Sequence, residues 1–197
     1  EGNIVNRTYD SLGNLISAWT SLGYYHYFEY DNGGNPIKYT DPNGHSVSYK
    51  YDGLNRLTEL KDALNNITQY GYDAVGNMVN MVNPAGKTTA YQYDALDRLT
   101  AVIDALGNDT RYVYNTAGKL VETIDANGNP ITTEYDALDR VVNIRDALGN
   151  LTQTGYDAVG NVISVKDAKG REIFYLYDLL NRLTQTNYPD GTSEGYE

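Results

Sequence analysis

The stretch YDALDRLTAVIDALGNDTRYVY, Tyr93 to Tyr114, writes one short phrase twice. DALDRLT from Asp94 is echoed by DALGNDT from Asp104, and a tyrosine stands at each end. The tyrosines set the scale of the chain. Tyr9, Tyr30, Tyr51, Tyr72, Tyr93, Tyr114, Tyr135, Tyr156 and Tyr177 follow one another at 21-residue intervals without a slip, most of them followed by Asp. An insertion-free period of this length is the signature of one structural unit stacked on itself. It predicts a single array of about nine repeats over residues 1–197, with no second domain.

Two further columns run at the same period. Four residues after each tyrosine stands Gly, Asn or Asp (Gly76, Asp97, Gly118, Asn181 among them); fourteen after it stands Gly or Asn (Asn65, Gly86, Gly107, Gly128, Gly149). These are the residues that tolerate a left-handed backbone, so both columns predict tight turns. The Asp that opens each phrase can accept a hydrogen bond from the backbone two residues on. Pro42, Pro84 and Pro189 fall just after the opening residue, where their fixed φ suits the first central position of a turn.

Between turns the pattern has period two. In NDTRYVY, Thr110, Tyr112 and Tyr114 share one face, with Arg111 and Val113 on the other; Thr100 and Val102 face away from Ala101. Runs of five or six such residues between glycine-bearing turns are strands. The expected fold is therefore all-β: an array of 21-residue β-hairpin repeats, roughly eighteen strands, in one long antiparallel sheet. At about 4.8 Å per strand such a ribbon is roughly 85 Å wide, and strand twist makes it curl or spiral. The phrases alternate ten and eleven residues apart. To keep the tyrosines on one face, the two turns are expected to differ in loop length. A three-residue loop suits Ala105, Leu106 and Gly107, and an extra residue or a bulge is needed at the other turn. At 42 residues a second rhythm appears, Gly-Asn turns (Gly34-Asn35, Gly76-Asn77) alternating with Asx-Arg turns (Asn55-Arg56, Asp97-Arg98), an order that keeps successive arginines apart.

Composition narrows the function. There are 20 tyrosines, two phenylalanines and one tryptophan; the net charge is −11, and there is no cysteine. An acidic chain is a poor partner for nucleic acid or an anionic membrane surface. No apolar run approaches the length of a helical membrane span, and nothing after Glu1 reads as a signal peptide. Without cysteine there is no disulfide, thiolate metal site or thiol nucleophile.

The phrase YDALxRL…DALGNxTxYxYD resembles the YD repeat, also called the Rhs repeat, over essentially the whole chain. That family includes bacterial Rhs and wall-associated polymorphic toxins, the shell-forming subunits of insecticidal Tc toxin complexes, and the animal teneurins. The DALGN style resembles the bacterial members. The resemblance implies a long sheet that spirals into a hollow shell, holding a C-terminal toxin in the bacterial cases. It implies a secreted or surface-displayed protein whose partners are the rest of its own polypeptide or an encapsulated toxin domain. Family toxins also carry a DPxG-type self-cleavage site. DPNG (Asp41 to Gly44) is similar as a string, but it occupies an ordinary second-turn position and is read as a plain turn, so self-cleavage is not carried over. About nine repeats make a section of wall rather than a closed cage.

Enzymatic and cofactor sites find little support. His26 and His45 lie in different repeats without metal-ligand spacing, and Ser46 and Ser48 lie in strands without a nucleophile elbow. The column Asp41, Asp62, Asp104, Asp125, Asp146 and Asp167 offers one carboxylate per loop, whereas calcium takes six to eight oxygens. The N-x-T strings at Asn66, Asn108 and Asn150 follow from the repeat itself. The expectation is a non-catalytic protein without cofactor or metal. Tyr51, Tyr72, Tyr93, Tyr135, Tyr156 and Tyr177, with Gly86, Gly107, Gly128 and Gly149, are its structural columns. The first repeat departs from the pattern. It places Thr20 where Asp belongs and gathers Trp19, Tyr24, Tyr25, Tyr27 and Phe28, a set that could contact a glycan or pack against a neighbouring segment. Choline- and glucan-binding repeats also have units of about twenty residues, but they rely on tryptophan.

Overall fold

The computed structural model describes residues 5–196, so Glu1 and the leader reading that starts from it lie outside the described residues. These residues form nineteen strands of an unclosed antiparallel sheet and no helix. They fall into two compact units. The first contains β1 (Val5–Tyr9), β2 (Leu15–Thr20), β3 (Tyr25–Tyr30), β4 (Pro36–Thr40), β5 (Ser46–Tyr51), β6 (Leu57–Lys61), β7 (Ile67–Tyr72), β8 (Met78–Val82) and β9 (Thr88–Tyr93). The division passes through β10 (Leu99–Ile103). The second contains β11 (Asp109–Tyr114), β12 (Leu120–Ile124), β13 (Pro130–Tyr135), β14 (Val141–Arg145), β15 (Leu151–Tyr156), β16 (Val162–Lys166), β17 (Glu172–Tyr177), β18 (Leu183–Asn187) and the short β19 (Ser193–Gly195). Within each unit every strand pairs antiparallel with the next, as a meander of hairpins.

Both turns of a repeat close in the same way, which corrects the expectation of unequal loops. In the first, the Asp31 N–H donates to the Asn35 carbonyl (3.0 Å) and the Gly34 N–H to the Asp31 carbonyl (3.1 Å). In the second, Asp41 and His45 (2.9 Å) and Gly44 and Asp41 (3.0 Å) repeat those bonds. The odd residue sits in the ladder instead. Glu29 pairs with Lys38 but Tyr30 with Pro36, so Ile37 is the extra residue of a β-bulge. The same shift recurs beside Tyr9, Tyr51, Tyr72, Tyr114, Tyr135, Tyr156 and Tyr177. Because a one-residue slip inverts every side chain, one bulge per repeat restores the parity that 21 residues would break.

The tyrosines consequently stay on one face. Val47, Tyr49 and Tyr51 of β5 lie beside Leu60 of β6, and Leu60 lies opposite Thr68, which shares its face with Tyr70 and Tyr72. The other face carries cross-strand charge pairs: Lys50 pairs with Glu59 (2.8 Å) and Lys38 with Glu29 (3.0 Å) across neighbouring strands. Among the described residues only Ala101 and Thr186 are buried, so side chains are half-covered or exposed and no closed core forms. Cohesion must therefore come from strand ladders, turns and the partly covered tyrosine face.

The columns of Gly, Asn and Asp all carry positive φ, including the non-glycine Asn55, Asn65, Asp97, Asp139 and Asn181. Gly107, at φ +85, has open space where a Cβ would stand. Gly107→Val therefore meets no clash, and its cost is the backbone's alone. A left-handed L-residue costs about 1–2 kcal/mol, with β-branched residues the worst placed. A matching fall in the urea midpoint is expected; an unchanged midpoint would contradict the turn geometry.

Candidate functional site

The recurring chemical unit is the turn. Asp94 opens one of them: its Oδ1 accepts the N–H groups of Leu96 (2.9 Å) and Arg98 (3.1 Å), and its Oδ2 accepts the Arg98 Nε–H (2.7 Å). Asp62 makes the same bonds with the Leu64 and Asn66 backbone and the Asn66 amide, all at 2.8 Å. Hydrogen bonds to the charged form favour it. The Arg98 side chain thus holds the Asp94 carboxyl below its ordinary range, as the Asn66 side chain does for Asp62. These oxygens are committed to their own loops. Among the described residues no three His, Asp or Glu side chains converge on a point that could hold a metal ion.

The tyrosine column has a role that periodicity alone does not reveal. The Tyr72 hydroxyl donates to the Leu57 carbonyl (2.9 Å), fifteen residues back at the start of β6. Tyr30, Tyr51, Tyr93, Tyr114, Tyr135, Tyr156 and Tyr177 each donate to the residue fifteen back, at 2.9 to 3.1 Å. The acceptor is in each case the first residue after a first turn, where the bulge interrupts the ladder and leaves a carbonyl to satisfy. Burial raises the phenol pKa of Tyr51 and of Tyr93, which keeps these hydroxyls protonated as donors.

Neighbouring first turns also bond to one another, and this explains the 42-residue rhythm. Asn35 donates its amide to Asn55 Oδ1 (2.8 Å), and Asn77 to Asp97 Oδ1 (2.8 Å). In the next interval the donor is guanidinium: Arg56 to the Asp73 carbonyl (2.9 Å), Arg140 to the Asp157 carbonyl (3.1 Å). Asn161 then donates to Asn181 Oδ1 (3.1 Å). The two turn types alternate because the left-handed Asx of one accepts from the amide of its predecessor, while the arginine beside it reaches the backbone of its successor. The arginines also lie over the tyrosine rings, Arg56 at 4.8 Å from the Tyr72 centroid and Arg140 at 4.5 Å from that of Tyr156.

The aromatic group of the first repeat is divided by the pleat. Trp19 of β2 faces Tyr25 of β3, and Tyr27 follows on the same side. The three rings run nearly parallel, with centroids 5.8 Å and 6.1 Å apart and interplanar angles of 13° and 10°. Tyr25 and Tyr27 are 42% and 48% exposed. Phe28 points to the opposite, tyrosine-column face and meets Tyr39 at 5.3 Å, beside His26, whose Nδ1 lies 2.8 Å from the Tyr39 hydroxyl. Tyr24 is an exposed turn residue outside both groups. Thr20 closes its turn through backbone bonds, but its Oγ1 is buried without a partner.

Fold and turns together define a tandem β-hairpin repeat protein in which each repeat is fastened to the last by a tyrosine and a turn contact. The chain belongs to the RHS repeat family: the RHS Repeat model matches residues 9–46, 30–67, 51–88, 72–110, 114–151 and 156–193. No curated protein matches. Solved structures share the fold. The TcdB2-TccC3-TEV crystal structure aligns with TM-score 0.54 and 15% identity, over 93% of this chain and 12% of that one. TcdB2-TccC3 without its hypervariable C-terminal region gives 0.54 and 14%, over 93% and 13%. The Photorhabdus luminescens Tc holotoxin pore, with a TccC3 variant, gives 0.53 and 14%, over 93% and 14%. The chain thus spans about an eighth of these structures' length.

Proposed function

We propose that this chain is a structural, non-catalytic segment in the wall of a β-shell, part of a longer bacterial protein that is secreted or displayed at the cell surface. The shell encloses a toxin or other cargo domain, or a further part of the same polypeptide. The observation that carries this reading is the fastening of repeat to repeat. The tyrosine hydroxyls and turn carboxylates are engaged in holding the sheet, in an array free of insertions. Such an array can be lengthened without changing its unit. Its fold is that of the Tc components with which it aligns. The test is electron microscopy of the full-length parent protein, with protease challenge of its terminal domains. A hollow particle whose cargo resists digestion until the wall is opened is expected. An extended or solid particle with freely cleaved domains would overturn the proposal.

The aligned rings of Trp19, Tyr25 and Tyr27, the tyrosines exposed and the tryptophan half-buried, favour a second reading, a glycan-binding surface. Titration with cell-wall fragments and oligosaccharides, followed by Trp19 fluorescence, tests it. Saturable binding lost in Tyr27→Ala would support it; a flat trace would remove it. Tyr24 and Phe28 do not belong to this surface.

A further inference from the structure

We propose that the turn from Thr20 to Tyr24 binds a carboxylate from outside the chain, and that the ligand is an acidic, uronate-bearing glycan. The ligand class rests on the glycan reading of Trp19, Tyr25 and Tyr27; the carboxylate site stands on observations of its own. The repeat supplies the template. In the next second turn, Asp41 Oδ1 accepts the N–H groups of Asn43 (2.9 Å) and His45 (2.8 Å). Asn83 fills the same place with its amide oxygen, accepting from Ala85 and Lys87, both at 3.0 Å. Where Tyr188 opens a turn, Asp190 Oδ1 takes the Thr192 N–H instead (2.9 Å).

In the Thr20 turn the backbone is the same and the oxygen is missing. The Thr20 N–H donates to the Tyr24 carbonyl (3.2 Å) and the Gly23 N–H to the Thr20 carbonyl (3.0 Å). Gly23 has φ +81, against +84 for Gly44 in the Asp41 turn. Thr20 Oγ1 has no partner, so it does not replace the carboxylate. Among the described residues, the N–H groups of Leu22 and Tyr24 therefore lack the acceptor that their counterparts have. These residues are 71% and 54% exposed, within reach of a ligand. A charged acceptor makes the stronger bond to such a donor pair. The chain is acidic, but no carboxylate occurs between Asp10 and Glu29, and Arg7 of β1 stands opposite Ala18, two residues before Thr20. The flanks give the ligand class. The turn joins Trp19 to Tyr25, whose rings stack. A sugar acid offers a C–H face and a carboxylate on one ring, whereas an acidic peptide side chain offers the carboxylate alone.

Two titrations test this, read at the backbone amide resonances of Leu22 and Tyr24 and at Trp19 fluorescence. Acetate probes the carboxylate site alone and should shift both amides saturably. A uronate oligosaccharide and its methyl ester differ in charge, and esterification should weaken binding by about tenfold. Thr20→Asp supplies the missing carboxylate from within. It should raise the urea midpoint and abolish both the acetate shift and the preference for the charged sugar. Thr20→Asn, which copies Asn83, should do the same. Unmoved amides in acetate overturn the proposal, as does a Thr20→Asp chain that responds like the wild type. If acetate shifts the amides but neither sugar changes Trp19 fluorescence, the glycan reading falls and the carboxylate site stands. If both sugars bind equally, the glycan surface stands and the turn carboxylate site has no part in it. An acidic peptide that matches the uronate overturns the glycan class.

Discussion

Acidification below pH 3.8 should destabilise the array, and the loss should steepen as the pH falls. Thirteen turn-opening aspartates have carboxyls held below the ordinary value of 3.8: Asp10, Asp31, Asp41, Asp52, Asp62, Asp73, Asp94, Asp125, Asp136, Asp146, Asp157, Asp167 and Asp178. For Asp125, Asp146 and Asp62 the first cause is the side-chain amide four residues on; for Asp94 and Asp136 it is arginine. A carboxyl whose pKa is lower in the folded chain contributes stability above its unfolded value. That contribution is lost as the pH falls through the folded one. The window therefore opens near 3.8 and extends below it. Each site is exposed and individually small, but all thirteen act with the same sign. The chain supplies its own control. Asn83 opens a turn with Oδ1 accepting the Ala85 and Lys87 N–H groups, both at 3.0 Å, and does not titrate. Replacing Asp62, Asp125 and Asp146 by Asn should flatten the pH dependence in proportion. The check is urea unfolding by circular dichroism from neutral pH to pH 2. A midpoint that stays level below 3.8 would show that the carboxylates do not hold the turns.

What could be read from the sequence was whatever depends on a residue's own backbone preference. The period of Tyr9 to Tyr177, the left-handed columns and the period-two strands follow from local chemistry. Asn65 and Asn181 could be placed in turns because few other side chains accept positive φ. What escaped depends on a partner. The odd repeat length called for either a longer loop or a bulge, and only the pairing of Tyr30 with Pro36 shows which. The tyrosine bond to a carbonyl fifteen residues back is long-range by nature, since its acceptor exists only once the bulge has formed. The aromatic group is divided for another reason. Neighbours in sequence are not neighbours in space here, because alternation along β3 sends Tyr25 and Tyr27 to one face and Phe28 to the other. The alternation of turn types was visible as a pattern, and its cause lay in contacts between turns twenty and seventeen residues apart.

Tyr156 is where these partner-dependent features meet, so its replacement should be the most costly single change in the strands. Its hydroxyl donates to the Val141 carbonyl (2.9 Å) at the bulge where Val141 pairs with Tyr135. Its ring lies under Arg140, which also grips Asp136 (Nη2 to Oδ2, 2.6 Å) and the Asp157 carbonyl (3.1 Å). Tyr156→Phe keeps the ring and removes one half-buried bond, a loss of about 1 kcal/mol. Tyr156→Ala removes the ring surface and the cation–π contact as well. A partly covered aromatic should cost less than the 3–5 kcal/mol of a core ring, so about 2–3 kcal/mol is expected. Two comparisons give these values meaning. Removing the exposed Lys38–Glu29 pair should cost under about 1 kcal/mol, although it is the more conspicuous contact in a charged sheet. Combining Tyr156→Phe with Arg140→Met isolates the ring contact from the hydroxyl bond: if the two act on separate partners, their costs add. Urea midpoints decide the matter. If Tyr156→Phe unfolds with the wild type, the hydroxyl does not hold the bulge, and the 21-residue period must owe its tyrosine to the ring alone. If the loss is found at Tyr156 and again at Tyr135, whose hydroxyl reaches the Leu120 carbonyl at 2.9 Å, then each repeat is locked by the one after it. The array gains its stability by addition, repeat on repeat, without the buried core a compact domain would need.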